Sequence, residues 1–156
     1  MRTETINIYQ FEELSDDAKE TARQWYREAS SYDEWWWSVY EDAEQIGIKI
    51  TSFDDHNITG EFILSAQSVI NKIKTDHGPQ CETYKTAMEY DGKTITEDEE
   101  GYEVVEDDII DDFLHDILED YRITLKKEYE WLNDDEQVDD NIICNEYEFT
   151  SDGSIY

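Results

Sequence analysis

Apolar residues recur along this chain in two rhythms, one of period two and one close to 3.6. Thr3 to Tyr9 alternates, with Ile6 and Ile8 on one side, and predicts a short strand. From Ser15 the rhythm turns helical. Ser15 is placed as N-cap, Asp16 and Asp17 fill the first turn, and Ala18, Ala22, Trp25, Tyr26 and Ala29 form the buried stripe. A second helix is predicted from near Asp33 to Gly47, with Trp36, Val39, Tyr40, Ala43 and Ile46 on one face and Trp35 at its edge. Trp37 falls well off that face, beside Glu41 and Glu44. Ile48 to Phe53 alternates, and Ile58 to Leu64 reads as its partner strand across an Asp-Asp-His-Asn turn.

Ser65 to His77 predicts a third helix, ended by Gly78-Pro79, and Cys81 to Tyr90 a short fourth one closed by Gly92. Lys93 to Gly101 reads as an acidic loop. A long helix is predicted from about Val104 to Leu132. Its apolar stripe is Ile109, Ile110, Phe113, Leu114, Ile117, Leu118, Tyr121, Leu125, Tyr129 and Leu132. Asp134 and Gln137 have the spacing of a capping box for a further helix to about Asn145. Tyr147 to Thr150 predicts a last strand, with Ser151-Asp152-Gly153 as its turn. There is no internal repeat and no linker rich in Pro, Gly or Ser. The expected class is α+β: a predominantly helical single domain over residues 1–156, with a small antiparallel sheet and one long acidic helix.

Composition changes the picture through charge. Twelve Lys+Arg stand against 42 Asp+Glu, a formal charge of −30, yet aromatic content is 13%, which separates the chain from disordered acidic tails. The excess is uneven. Residues 1–90 carry 8 basic and 18 acidic side chains, and residues 91–156 carry 4 and 24. Between Lys93 and Arg122 there are 13 acids and no base. A general solubility need, or adaptation to salt, would spread acid more evenly. The stretch DDIIDDFLHDILEDY (Asp107–Tyr121) has a clear apolar face and seven carboxylates. Acids four apart on a helix repeat every ~6 Å. Asp108, Asp112, Asp116 and Glu119/Asp120 make one such row, and Asp107 and Asp111 begin a second. With Glu97, Asp98, Glu99, Glu100 and Glu103 just before them, these rows approach the charge density of duplex DNA over two or three turns. Like-charge pairs at that spacing cost about 0.2–0.5 kcal/mol each, which an apolar stripe of this length outweighs.

Such a surface excludes direct nucleic-acid binding and attraction to an anionic membrane, since both need a basic footprint. Its complement is a basic protein. Other chemistry is weak. His56, His77 and His115 are far apart in sequence, and none pairs with Cys or Ser in a recognisable arrangement. Gly101 or Gly60 at the sixth position of a calcium loop leaves the first or last ligand wrong. No glycine loop of phosphate-binding type is present, and nothing singles out one carboxylate pair for hydrolysis. No metal, cofactor or catalytic residue is therefore expected. Cys81 and Cys144 belong to no CxxC and are expected to be reduced, partly buried thiols. The N-terminus MRTETINIYQF lacks a signal-peptide core, and no run approaches 18 apolar residues, so a cytoplasmic location in the host cell is expected.

YQFEELSDDAKETARQWYRE (Tyr9–Glu28), CETYKTAMEYDG (Cys81–Gly92) and NEYEFTSDGSIY (Asn145–Tyr156) resemble a family of small acidic proteins encoded by bacteriophages and mobile elements, often described as antitoxin-like. In charge and size, though not in motifs, the chain is similar to phage and plasmid DNA mimics that block restriction enzymes and to some anti-CRISPR proteins. The family resemblance implies a phage or mobile-element origin, and the base-free acidic block between Lys93 and Arg122 leads to the expectation of a non-enzymatic inhibitor whose partner is a basic, nucleic-acid-binding host protein, a restriction or CRISPR component. The expected contact residues are the acids from Glu97 to Asp120 named above, together with Trp37. The alternative is an antitoxin-like module that grips one partner through an aromatic patch around Trp37. The aromatic excess is compatible with a homodimer, which would extend the acidic surface.

Overall fold

The computed structural model describes residues 1–30 and 34–156. The fold is α+β and predominantly helical, with the long acidic helix in place. In chain order the elements are β1 (Tyr9–Gln10), a 3-10 turn (Phe11–Glu13), α1 (Asp16–Ser30), α2 (Trp37–Gln45), β2 (Ile48–Phe53), β3 (Ile58–Phe62), α3 (Ala66–Asp76), α4 (Glu82–Tyr90), β4 (Ile95–Glu97), β5 (Glu103–Val105), α5 (Asp107–Asn133), α6 (Asp135–Cys144) and β6 (Glu148–Phe149). The strands form three antiparallel pairs among the described residues, β1–β6, β2–β3 and β4–β5, where one small sheet is expected from sequence. No helix among the described residues is long and apolar enough to cross a membrane. The chain groups into two compact units, Met1–Trp35 with Glu128–Tyr156, and Trp36–Lys127.

The first unit buries Phe11, Leu14, Ala18, Ala22, Val138, Ile142 and Phe149 together. Ser15 does cap α1, its hydroxyl accepting from the Ala18 amide at 3.3 Å. The alanine stripe lets α6 approach α1 closely. Arg23 reaches across with a two-pronged bond to Asp139, at 2.6 and 2.9 Å. Trp25 meets Tyr147 and Phe149 edge-on, with centroids 5.1 and 6.1 Å away. A Cβ on Gly153 would lie 2.0 Å from the Ala18 carbonyl oxygen, and its φ of +87° already favours glycine.

The second unit is organised by α5, whose Phe113, Ile117, Leu118 and Tyr121 are buried against Ala43, Ile46, Ile48, Ile50, Val69, Ile70, Ile73 and Ala87. Ser65 caps α3 by accepting from the Ser68 amide at 3.3 Å. The Asp-Asp-His-Asn turn joins β2 to β3 as expected. Asp54 Oδ1 accepts from the amides of His56 and Asn57, at 2.8 and 2.7 Å. Gly60 has no room for a side chain, because a Cβ would sit 2.7 Å from the Lys49 carbonyl oxygen and 2.9 Å from Leu118.

Several expectations are corrected. The N-terminal strand is only Tyr9–Gln10, because β6 offers two residues to pair with, and Ile6 is left 60% exposed. Ala29 and Tyr129 are exposed rather than buried in their stripes. The predicted start of the second helix at Asp33 lies outside the described residues. Its helical turns begin at Trp37, with Trp36 as N-cap. Lys93–Gly101 is not a loop throughout, since Ile95–Glu97 pairs with Glu103–Val105, and α5 accordingly starts at Asp107, not Val104. Asp134 is the N-cap of α6 but makes no side-chain cap bond. Gln137 donates forward to Asn141 instead, at 3.4 Å. Cys81 and Cys144 are free but exposed, not partly buried, because they occupy the N-cap of α4 and the last residue of α6.

Candidate functional site

Each predicted contact residue has a definite place, and the acids divide into two sets. The β4–β5 hairpin pairs Ile95 with Val105, Thr96 with Val104, and Glu97 with Glu103. Its turn is closed by Asp98, whose Oδ1 accepts from the amides of Glu100 and Tyr102, each at 2.9 Å. Asp98 is therefore a turn residue first. Gly101 supplies the left-handed corner at φ +86°. Glu99 and Glu100 sit at the tip, exposed.

The chain enters α5 through Glu106. Its amide donates to the Thr94 carbonyl oxygen at 3.0 Å, and its carboxylate accepts from the Thr96 hydroxyl at 2.6 Å. Hairpin and helix are thus tied at the junction. Asp107 and Asp108 occupy the first turn of α5, where the free amides and the helix dipole favour negative charge. Asp107, Asp108, Asp111 and Asp112 are exposed, and among the described residues none has an ion-pair or hydrogen-bond partner.

Further along α5 the row is engaged. The Tyr90 hydroxyl donates to Asp116, and that neighbouring carboxylate, with burial, pushes the phenol up to about 12. Thr86 donates to Asp120. Asp120 is raised above the ordinary carboxylate range, first by burial and then by Glu82, Asp116 and Glu119. Glu119 is held low by Arg122. Arg122 also donates to the Asp55 carbonyl oxygen at 2.8 Å. Thr86 and Tyr90 are four apart on α4, matching Asp116 and Asp120 four apart on α5, so the two helices run past each other in opposite senses. That matching spacing was present in the sequence and is the signal a reading of α5 alone overlooks.

What stays open is an acidic surface of eight side chains: Glu97, Glu99, Glu100 and Glu103 on the hairpin, and Asp107, Asp108, Asp111 and Asp112 on α5. Sequence reasoning missed its apolar component. Tyr102 is 68% exposed and Val105 55%, on a hairpin otherwise covered in carboxylates. Trp37 is 60% exposed at the start of α2, off the buried face as expected.

The second unit also holds a cleft of about 410 Å³, lined in part by Asp42, His77, Cys81, Thr83, Asp120 and Tyr121. His77, to which the sequence assigns no partner, bridges here. Its Nδ1 lies 2.6 Å from the Thr83 hydroxyl and its Nε2 3.2 Å from Asp42. The Tyr121 hydroxyl donates to the same carboxylate at 2.9 Å. Asp42 holds His77 above its ordinary range, and His77 holds Asp42 below its own. These polar groups are bonded to one another, and they link α2, the end of α3, α4 and α5. A smaller cleft is lined by His56, Asn57, Ile58, His115, Leu118 and Glu119. Among the described residues no three His, Cys, Asp or Glu side chains converge as metal ligands would.

No family model, curated protein or solved structure matches the chain.

Proposed function

We propose that the protein is a phage-type DNA mimic that inhibits a host defence protein, a restriction enzyme or CRISPR effector, by occupying its cationic nucleic-acid groove. The observation that carries this reading is the set of eight solvent-facing carboxylates on the hairpin and the first turns of α5, with no base in sequence between Lys93 and Arg122. Asp107 to Asp111 and Asp108 to Asp112 each advance ~6 Å along the helix, comparable to every second phosphate along one DNA strand, ~7 Å apart. The hairpin extends the charged surface beyond the helix start. Long-range attraction to a basic groove speeds encounter and weakens as salt rises.

The test is restriction of unmodified phage, and CRISPR interference, in cells that express the protein. Expression is expected to relieve one of the two by at least ~100-fold, a loss that removing several charge contacts reverses. The quadruple variant Asp107→Asn, Asp108→Asn, Asp111→Asn, Asp112→Asn is expected to fold normally and lose the effect. Inhibition that survives this variant sinks the reading.

Trp37 favours a second reading, an antitoxin-like contact through an aromatic anchor, because an indole this exposed is what a contact centre uses. In that case Trp37→Ala abolishes binding, the quadruple variant does not, and affinity hardly changes with salt.

A further inference from the structure

His77 and Thr83 stand on either side of the Gly78-Pro79 turn, at the end of α3 and in the first turn of α4. The Thr83 hydroxyl lies 2.6 Å from His77 Nδ1, and His77 Nε2 lies 3.2 Å from Asp42. Asp42 is held below the ordinary carboxylate range, first by His77 and also by Tyr121, so it is ionised and can only accept. In the neutral ring the proton therefore sits on Nε2, and Nδ1 accepts from Thr83. The Tyr121 hydroxyl donates to the same carboxylate at 2.9 Å and holds it in place. These are a hydroxyl, a base and an orienting carboxylate in hydrogen-bonded series, the order that nucleophilic catalysis uses. A tie that only joins helices needs no access to solvent. This one lines the cleft of about 410 Å³, where Thr83 is only half-buried. Asp42, His77, Asp120 and Tyr121, all in that cleft, are displaced from their ordinary ranges, as groups in reactive sites are. Lys85 makes the first backbone bond inside α4, to the Cys81 carbonyl oxygen at 3.2 Å, so the amides of Thr83 and Tyr84 precede the helical ladder.

We propose that this cleft is an acyl-transfer site in which Thr83 is the nucleophile, His77 its general base, and Asp42 with Tyr121 the positioning residues. The substrate class is a small carboxylic ester without negative charge, since Asp42, Glu82 and Asp120 line the same cleft. The Thr83 oxygen bonds to the ester carbonyl carbon as its proton passes to His77 Nδ1. The amides at the start of α4 are donors for the oxygen that gains charge. The bond to the alcohol then breaks, and His77 returns the proton to that leaving group. Water attacks the acyl-threonine in turn. His77 takes a proton from it and gives one to the Thr83 oxygen, freeing the acid. None of the eight open carboxylates takes part, so this activity is separate from the inhibitor reading and each can fail alone.

The full chain is incubated with diisopropyl fluorophosphate, an uncharged probe, and the product is read by intact mass and peptide mapping. Attack by Thr83 on phosphorus expels fluoride and passes the proton to His77. Wild type is expected to gain a single diisopropylphosphoryl group, on Thr83, and to lose hydrolysis of p-nitrophenyl acetate as the label accumulates. Thr83→Val, similar in shape, is expected to abolish the label, and Thr83→Ser to keep it. His77→Gln is expected to slow labelling about 100-fold. The titratable and polar groups around His77 are Asp42 on α2, Asp76 on α3, Cys81, Glu82 and Thr83 on α4, and Asp120 and Tyr121 on α5. Asp42 and Asp76 favour the imidazolium, so labelling is expected to rise with pH through the raised value of His77. Asp42→Asn is expected to move that rise to lower pH, whereas a purely structural Asp42 leaves it in place. Any of four results overturns the proposal: no label on folded wild type, a label mapped to Cys81 or a tyrosine, a Thr83→Val rate equal to wild type, or a pH midpoint unmoved in Asp42→Asn.

Discussion

At the scale of single residues, two groups in one cleft pull the pH dependence of stability in opposite directions. His77 is raised because Asp42 bonds its ring, so the folded state holds that proton more tightly than the unfolded chain. Its contribution is complete below the unfolded value near ~6.5 and is lost as pH rises through the higher folded value. Asp42, held low by the same bond, contributes above the ordinary carboxylate range and loses its contribution as pH falls through its depressed value. The pair therefore stabilises a window from mildly acidic pH up to the folded value of His77. Asp120 opposes it at neutral pH, where burial and neighbouring carboxylates make its charge costly. In urea titrations from pH 5 to pH 9, the midpoint of the wild type is expected to fall as His77 deprotonates. His77→Gln, which can still bond Thr83 and Asp42, is expected to remove that slope. A slope unchanged in His77→Gln means the imidazole is not the titrating group.

At the scale of elements, the helices were legible because their ends are marked chemically. Ser15 and Ser65 cap α1 and α3, and glycines at positive φ follow α2 and α4. The hairpin was not legible. Its strands are three residues each, half of those residues are glutamate or threonine, and Val104-Val105 fits equally well as the start of a helix stripe. Its decisive feature, the Asp98 carboxylate bonding two amides, has no periodic trace. The acid row on α5 was legible as positions but not as free charge. What disarms Asp116 and Asp120 is a pair of hydroxyls on another helix, and only packing brings them there. Tyr9–Glu28 and Asn145–Tyr156 meet through the Tyr9–Phe149 pairing, the Phe11–Phe149 ring contact and the seat of Gly153 on Ala18. These contacts lie in the first unit, while the open acidic surface belongs to the second. Gly153→Ala is expected to cost at least ~2 kcal/mol, since it combines a backbone clash with an unfavourable φ. Urea unfolding measures this, and a loss under ~0.5 kcal/mol, the range of ordinary surface changes, means the turn can shift freely.

At the scale of the whole molecule, a formal charge of −30 means that stability contains a large repulsive contribution. Ion pairs offset little of it. Arg23, Arg27 and Arg122 are committed to nearby acids, and the open acidic surface has none. Screening is therefore expected to stabilise the fold. Between 10 and 500 mM NaCl the melting temperature should rise by about 5 °C, which at ~2–4 °C per kcal/mol in a chain of this size corresponds to about 1–2.5 kcal/mol. A flat or falling melting temperature would show that local pairs, which salt weakens, outweigh the general repulsion. If the protein acts as the proposed inhibitor, the same salt series is expected to weaken partner binding, so that fold stability and affinity respond to salt in opposite directions.

The pairing of Tyr9 with Phe149 has a consequence for synthesis. At about 5–20 residues per second, a ribosome delivers Phe149 on the order of ten seconds after Phe11. Through that interval Phe11, Leu14 and Trp25 lack the neighbours that later cover them, while residues 36–127 are already available to collapse around α5. Closure of the first unit's core around Phe11, Leu14 and Trp25 therefore waits on a contact of long sequence separation, the arrival of β6.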